Sequence, residues 1–247
     1  MNFVYVAVLI TVLALVHPIW SRVDCENDKC KEKKQRHPLC RYRDPEPSPS
    51  CGTVKEAGVT RQEQMDIVNT HNQLRSYVAQ GFESRGDPGP QPPASSINAL
   101  IWDYDLSQAA QRWVNQCSFS RPPCADESRF DVGTTMGFKG ADAKPSEIIK
   151  DVFYEQVVHM NSSEVFELSA VNDTVKDYVQ LVSSNTTRIG CGKIISTAYK
   201  GMWTYLLLCL YGPTGNVVGE PVYDVSDYYR LYAELDEEED NVSQLDY

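Results

Sequence analysis

One stretch constrains the fold more than any other: Arg188 to Pro213, RIGCGKIISTAYKGMWTYLLLCLYGP. It holds two apolar, β-prone runs, Ile189 to Thr197 and Trp203 to Tyr211, separated by Ala198-Tyr199-Lys200-Gly201-Met202. Gly201 can take the positive φ that a turn demands, so the spacing predicts a hairpin. Cys191 and Cys209 lie equidistant from position 200 and face each other in that register, within disulfide range. Ile189, Cys191 and Ile195 then share a face with Trp203, Tyr205, Leu207, Cys209 and Tyr211. The opposite face sets Leu206, Leu208 and Leu210 against Gly190 and Gly192. Both faces are apolar, which predicts a central hairpin covered on both sides. The two glycines let a covering helix approach the sheet closely.

The rest of the chain points to export. Residues 1–21 read as a signal peptide: an apolar run from Phe3 to Val16 precedes His17-Pro18 and the small Ser21. The run is short for a membrane span, and no later segment is apolar enough to be one. All eight cysteines lie beyond it. An even count in an exported chain predicts four disulfides, although spacing alone leaves roughly a hundred pairings open. No CxxC pair or cysteine–histidine cluster has zinc-ligand spacing. Sequons at Asn161, Asn172, Asn185 and Asn241 fit a secreted glycoprotein. The net charge of −11 disfavours nucleic-acid binding. Nine of the acids, against one arginine, fall between Tyr223 and Tyr247.

Residues 22–59 carry four cysteines and Pro45, Pro47 and Pro49 without a helical or strand period, which predicts an irregular, disulfide-pinned extension. Its basic run CKEKKQRHPLC reads as a solvated loop. Thr60 and Glu63 form a capping box opening a helix to about Gln80, with Met65, Val68, Leu74 and Val78 as its apolar stripe and Gly81 as its stop. FESRGDPGPQPPASS cannot be regular structure. Trp102 to Cys117 reads as a second helix packing through Leu106, Ala109, Ala110, Trp113 and Val114. Phe130 to Phe138 is a weakly signalled strand. Ser146 to Met160 is a third helix, with Ile148, Ile149, Val152, Phe153 and Val157 inward. Asn172 or Asp173 caps a fourth, running to about Ser183. Helices come first and the clearest strands last, so the fold class is α+β.

Several segments together resemble the CAP superfamily, in particular the antigen 5 group of insect venoms and blood-feeder saliva. They are His71-Asn72-Gln73-Leu74-Arg75, the run from Arg85 to Ala94, Trp102-Asp103, and Ala109 to Cys117. Tyr178 to Val182 through Ile189 to Gly192 resembles the first family signature, and Leu208 to Asn216 the second. The resemblance spans Cys25 to Val222 and implies an α-β-α sandwich, with a CAP domain over residues 60–222. It also implies the pairs Cys25–Cys40, Cys30–Cys124, Cys51–Cys117 and Cys191–Cys209, the last reached independently from the hairpin.

The resemblance further implies a central cleft, where many family members hold a divalent metal with two histidines and two acids. In this chain Arg121 stands at the first histidine position, Thr134 at the first acid, Glu155 at the second acid and Asp177 at the second histidine. With both imidazoles gone, no transition metal or cofactor is expected. Arg121 pairing with Glu155 or Asp177 as a structural ion pair is the favoured reading; anion recognition is the alternative. His37, His71 and His159 are the histidines beyond the leader, and His71 reads as a hydrogen-bonded scaffold residue. There is no GxSxG elbow, and every cysteine has an expected partner. A hydrolase built on Glu155 and Asp177 lacks a matched acid and base. The chain therefore reads as non-enzymatic.

Two features remain for binding. Arg85-Gly86-Asp87 sits in a Gly/Pro-rich loop, as integrin-binding tripeptides do; Gly86 permits a bend and Pro88 biases Asp87 to extended conformations. Short motifs also arise by accident. Residues 223–247 read as a disordered acidic tail whose tyrosines 223, 228, 229, 232 and 247 are sulfation candidates. The expected partner is a host cell-surface or plasma protein, an integrin being one candidate. A small hydrophobic ligand held between helices is the alternative.

Overall fold

A computed structural model describes Cys25, residues 28–229 and residue 231. The leader, Asn241 and nearly all of the acidic tail lie outside these residues. The hairpin forms as β4 (Arg188–Tyr199) and β5 (Met202–Gly212), antiparallel and pairing Cys191 with Cys209. The symmetric register holds as far as Ser196↔Thr204; a register shift then leaves Lys200 and Gly201 as the turn, with φ of 52° and 74°. Two positive φ values match the twist of a two-residue hairpin loop, so the turn is tighter than the five residues expected.

The strand order is β1 (Val54–Ala57), β4, β5, β3 (Gly133–Gly140), with β2 (Ile101–Trp102) parallel to β4. One face is covered by α2 (Tyr104–Val114), whose Leu106, Ala109, Ala110, Trp113 and Val114 pack on Ile194, Leu206, Leu208 and Leu210. A Cβ at Gly190 would lie 2.2 Å from the Ser107 backbone nitrogen, and one at Gly192 2.4 Å from that of Gln111. Only glycine allows this approach. The other face, with Ile189, Cys191, Ile195, Tyr205, Leu207, Cys209 and Tyr211, lies beneath α1 (Arg61–Ala79), α3 (residues 145–159) and α4 (Lys176–Val182). The result is the expected α-β-α sandwich. All four disulfides join the implied partners, with Cα separations of 4.1–5.7 Å.

Several expectations need correction. Trp203 shares the register of the buried face but is 45% exposed, near the turn end of the hairpin. Trp102 belongs to β2, and Asp103 caps α2 by accepting from the Leu106 backbone nitrogen at 3.1 Å. The extension is not wholly irregular: β1 pairs with β4, and Pro38–Arg41 forms one helical turn. α3 is not one regular helix but runs from α (Pro145–Ile148) through π (Ile149–Phe153) to 3-10 (Tyr154–His159). Ile148, Ile149, Phe153 and Val157 still point inward. α4 starts at Lys176, after the Asn172 carbonyl has accepted from Val175 and Lys176.

The stripe of α1 also differs. Met65 is 44% exposed, while Ile67, Thr70, His71, Arg75 and Val78 are buried. The polar members are satisfied at a distance. Arg75 donates to the carbonyls of Asn98, Leu181 and Thr186 at 2.6–3.0 Å. The start of the predicted tail packs on the body: Tyr223 is buried and donates to the Pro92 carbonyl at 2.9 Å, and Val225 bridges to Ala94. Among the described residues, no helix is long and apolar enough to cross a membrane.

Candidate functional site

Three of the four cleft residues meet. Arg121 lies in the loop held between the Cys51–Cys117 and Cys30–Cys124 bridges. Its Nη1 donates to the Thr134 carbonyl at 2.7 Å and lies 2.6 Å from Asp177 Oδ1, while Nη2 donates to Oδ2 at 2.8 Å. Thr134 thus contributes its backbone. Asp177, in the first turn of α4, is 1% exposed. The Gln156 amide closes the arrangement: Nε2 donates to Asp177 Oδ2 at 3.1 Å, and Oε1 accepts from the Asp177 backbone nitrogen at 2.8 Å. Burial raises the Asp177 pKa, and the opposing pull of Arg121, Lys176 and Gln156 does not cancel it.

Glu155 is not part of this cluster. Helix α3 turns it outward to Arg85, whose Nη1 donates to Glu155 Oε2 at 2.8 Å. Arg85 also donates from Nε and Nη2 to the two oxygens of Glu83, at 2.9 and 2.8 Å, and lies over the Tyr154 ring. Glu83 further accepts from Tyr154 Oη at 2.7 Å and from the Arg85 backbone nitrogen at 2.9 Å. Burial pushes its pKa up, but these donors outweigh it and hold the carboxyl below its usual value. Sequence reasoning missed Glu83. The available signal was an acid two residues before Arg85, the spacing that lets a carboxylate accept from the backbone nitrogen two positions on.

The tripeptide loop is anchored rather than free. A Cβ at Gly86 would lie 2.4 Å from Gln91 Nε2 and 2.7 Å from the Met160 carbonyl oxygen. That carbonyl accepts from the Asp87 backbone nitrogen and from Gln91 Nε2. All three nitrogens of the Arg85 guanidinium are committed to carboxylates. The Asp87 side chain is exposed and has no partner among the described residues.

The histidines stand apart from the cleft cluster. His71 is fully buried; Nδ1 donates to the Ile67 carbonyl at 2.8 Å, which leaves Nε2 to accept from Tyr211 Oη at 2.8 Å. Tyr211 Oη is in turn 2.9 Å from the Thr135 hydroxyl. Burial pushes the His71 pKa down to about 4, so its imidazole stays neutral as a core strut. His37 is buried and caps Pro38–Arg41, while His159 is exposed. An open groove of about 330 Å³ is lined by Asp151, Glu155, Gln156 and His159.

The residues do not fit a zinc-like ion. No imidazole joins Asp177, both of whose oxygens face the Arg121 cation. Among the described residues, the grouping closest to metal-ligand geometry is Cys30, Cys124 and Asp126, and its two sulfurs form a disulfide. Of the sequon asparagines, Asn172 and Asn185 are exposed; Asn161 is half-buried and caps Ser163.

The chain is similar to known proteins in both sequence and fold. Residues 68–211 match the CAP family, described as the cysteine-rich secretory protein family. Venom allergen 3 of Solenopsis invicta is 37% identical over 208 residues, covering 81% of this chain and 88% of the relative. Venom allergen 5 of Vespa velutina is 36% identical over 207 residues, covering 80% and 99%. The solved structure of BmVAL-1 superposes with a TM-score of 0.58 at 25% identity, covering 71% of this chain and 87% of that one.

Proposed function

The chain belongs to the CAP family, among its venom allergen 3 and 5 relatives, and from that premise we propose that it is exported and acts by binding rather than catalysis. One observation carries the reading: Arg121, Asp177 and Gln156 close on one another, at the place where the family resemblance expects a metal or an acid–base pair. An arginine cannot exchange protons near neutral pH. Its partner carboxylate is sealed from solvent, with no histidine beside it. Export is supported by the cysteine count and by four bridges without a free thiol among the described residues.

The partner is a host cell-surface or plasma protein, and interference with adhesion or platelet aggregation is the activity that follows from it. Within the Arg85-Gly86-Asp87 loop the observations divide. Asp87 is exposed and its backbone is anchored, which suits a rigid contact. Arg85 would have to leave Glu83 and Glu155 before reaching an acidic pocket on an integrin. Asp87 is therefore the loop's first contact, and Arg85 its internal brace.

The test is capture of plasma and platelet-membrane proteins on the purified chain, with an adhesion titration of wild type and Asp87→Glu. A stoichiometric protein partner is expected, with Asp87→Glu losing inhibition about tenfold, as for a contact residue worth over 1 kcal/mol. Equal titrations would remove the loop as the contact. Lipid recovered in place of protein would favour the small-ligand alternative. Turnover of an ester or peptide that disappears in Asp177→Asn would overturn the non-catalytic reading.

A further inference from the structure

The outer face of α1 carries an open groove of about 460 Å³, separate from the cleft. It is lined by Asn69, Gln73, Ser76, Tyr77, Gln80 and Phe82, with Asn72 at its edge and no charged residue. Tyr77 is 44% exposed and Phe82 57%, unusual values for large aromatic side chains. Their rings lie 5.7 Å apart at 57°. The side-chain amides of Asn69 and Gln73 have no partner among the described residues. Exposed ring faces beside free, uncharged amides suit a neutral sugar. Its C–H faces pack on aromatic rings, and its hydroxyls exchange hydrogen bonds with amide donors and acceptors.

A sugar attachment point lies on the flank of the same helix. Asn185, of the sequon Asn185-Thr186-Thr187, is exposed in the turn between α4 and β4. That turn is held on both sides of Asn185, by Asn98 of the loop before β2 and by Arg75 of α1. The Ser184 carbonyl accepts from Asn98 Nδ2 at 3.0 Å, and the Thr186 carbonyl from Arg75 Nη2 at 3.0 Å. The Asn98 carbonyl also accepts from Arg75. Two residues on, Leu100 is clasped by Asn72, which receives its N–H at 2.7 Å and donates to its carbonyl at 3.1 Å. Asn72 lines the groove, so hydrogen bonds on either side of the short chain segment Asn98–Leu100 connect the sequon's turn to it.

We propose that the N-linked glycan of Asn185 folds back into this groove. An open groove with two rings and a few amides holds a free sugar weakly. A tethered sugar meets it at an effective concentration of about a millimolar, which occupies a site of millimolar Kd roughly half the time. Asn161 and Asn172 border a different groove, with His159 and Leu168, and serve as internal controls. The seated glycan covers Tyr77 and Phe82. This inference rests on the export reading.

The test is hydroxyl-radical footprinting of the secreted protein, with glycopeptide mapping to establish occupancy. Oxidation of Tyr77 and Phe82 is expected to be about twofold slower in wild type than in Asn185→Gln or in enzymatically trimmed wild type. Asn172→Gln is expected to match wild type. Equal oxidation with Asn185 occupied overturns the proposal. So does protection that survives in Asn185→Gln, which assigns the cover to another occupant, such as the C-terminal segment or a second copy. Glycan at other sequons with Asn185 bare sinks this proposal alone, whereas no glycan at any sequon counts against export itself.

Discussion

Two arginine–carboxylate pairs, Arg85–Glu83 in the loop and Arg121–Asp177 in the cleft, look alike and titrate in opposite directions. Both carboxylate side chains are 2% exposed, and the ion-pair contacts measure 2.8 and 2.6 Å. Glu83 accepts from Arg85 twice, from the Arg85 backbone and from Tyr154, and is held below its usual pKa despite burial. Asp177 has Arg121 and Gln156 as donors, and burial prevails. Burial alone therefore does not decide the protonation of a paired carboxylate. Asp177 lies deeper in the protein than Glu83 and has fewer donors, so depth and donor number together decide whether desolvation is overcome.

Breaking the cleft pair should have the largest effect. Arg121→Ala strands a buried carboxylate, with an expected loss of about 3–5 kcal/mol in denaturant unfolding. The Arg121→Ala/Asp177→Asn double variant should recover part of that loss. A single-variant loss under about 1 kcal/mol would mean that Asp177 does not depend on Arg121.

The next effect separates the pairs by pH. Glu83, with its pKa lowered, stabilises the fold above the ordinary carboxylate range, and that stability disappears as pH falls through its folded pKa. The gap between wild type and Glu83→Gln, on the order of 2 kcal/mol at neutral pH for a set of charge-assisted bonds, should therefore narrow in acid. Asp177, with its pKa raised, contributes in the opposite sense. Its contribution is complete below the unfolded pKa and fades as pH rises through the folded one. Wild type should thus gain on Asp177→Asn as the solution is acidified. Urea midpoints measured from neutral pH down through the carboxylate range would show this. Two gaps that move in parallel would erase the distinction.

The smallest effect belongs to Glu155, whose side chain is 55% exposed. Glu155→Gln should cost under about 0.5 kcal/mol by thermal unfolding, since solvent screens the contact with Arg85. A loss several times larger would make the two pairs one coupled network.

What was legible in the chain follows from how local each signal is. The hairpin could be read with both faces, its disulfide and its two glycines, because strand alternation repeats every second residue. The stripe of α2 could be read for the same kind of reason, since Leu106, Ala109, Ala110 and Trp113 are apolar at helical spacing. The stripe of α1 was legible in part: Val68, Leu74 and Val78 pack on the core, but Met65 does not. Its buried face includes His71 and Arg75, and their partners at Tyr211, Asn98, Leu181 and Thr186 are remote in sequence. A polar side chain gives no local sign that it will be buried and satisfied. The family resemblance singled out Arg121 and Asp177, which the structure brings together, but not Glu83 or Gln156.

By itself the sequence determined the layers, the central hairpin register and the absence of imidazole from the cleft positions. The hairpin register depends on residue type and short-range spacing, whereas the layers and the cleft positions were read through the family resemblance. Only the tertiary structure decided that Arg121 meets Asp177 and that Arg85 also reaches Glu155, because these side chains are brought together from distant parts of the chain. Arg121 had two acids to choose from, and the π turn at Ile149–Phe153 precedes the stretch where Glu155 faces Arg85 and Gln156 faces Asp177.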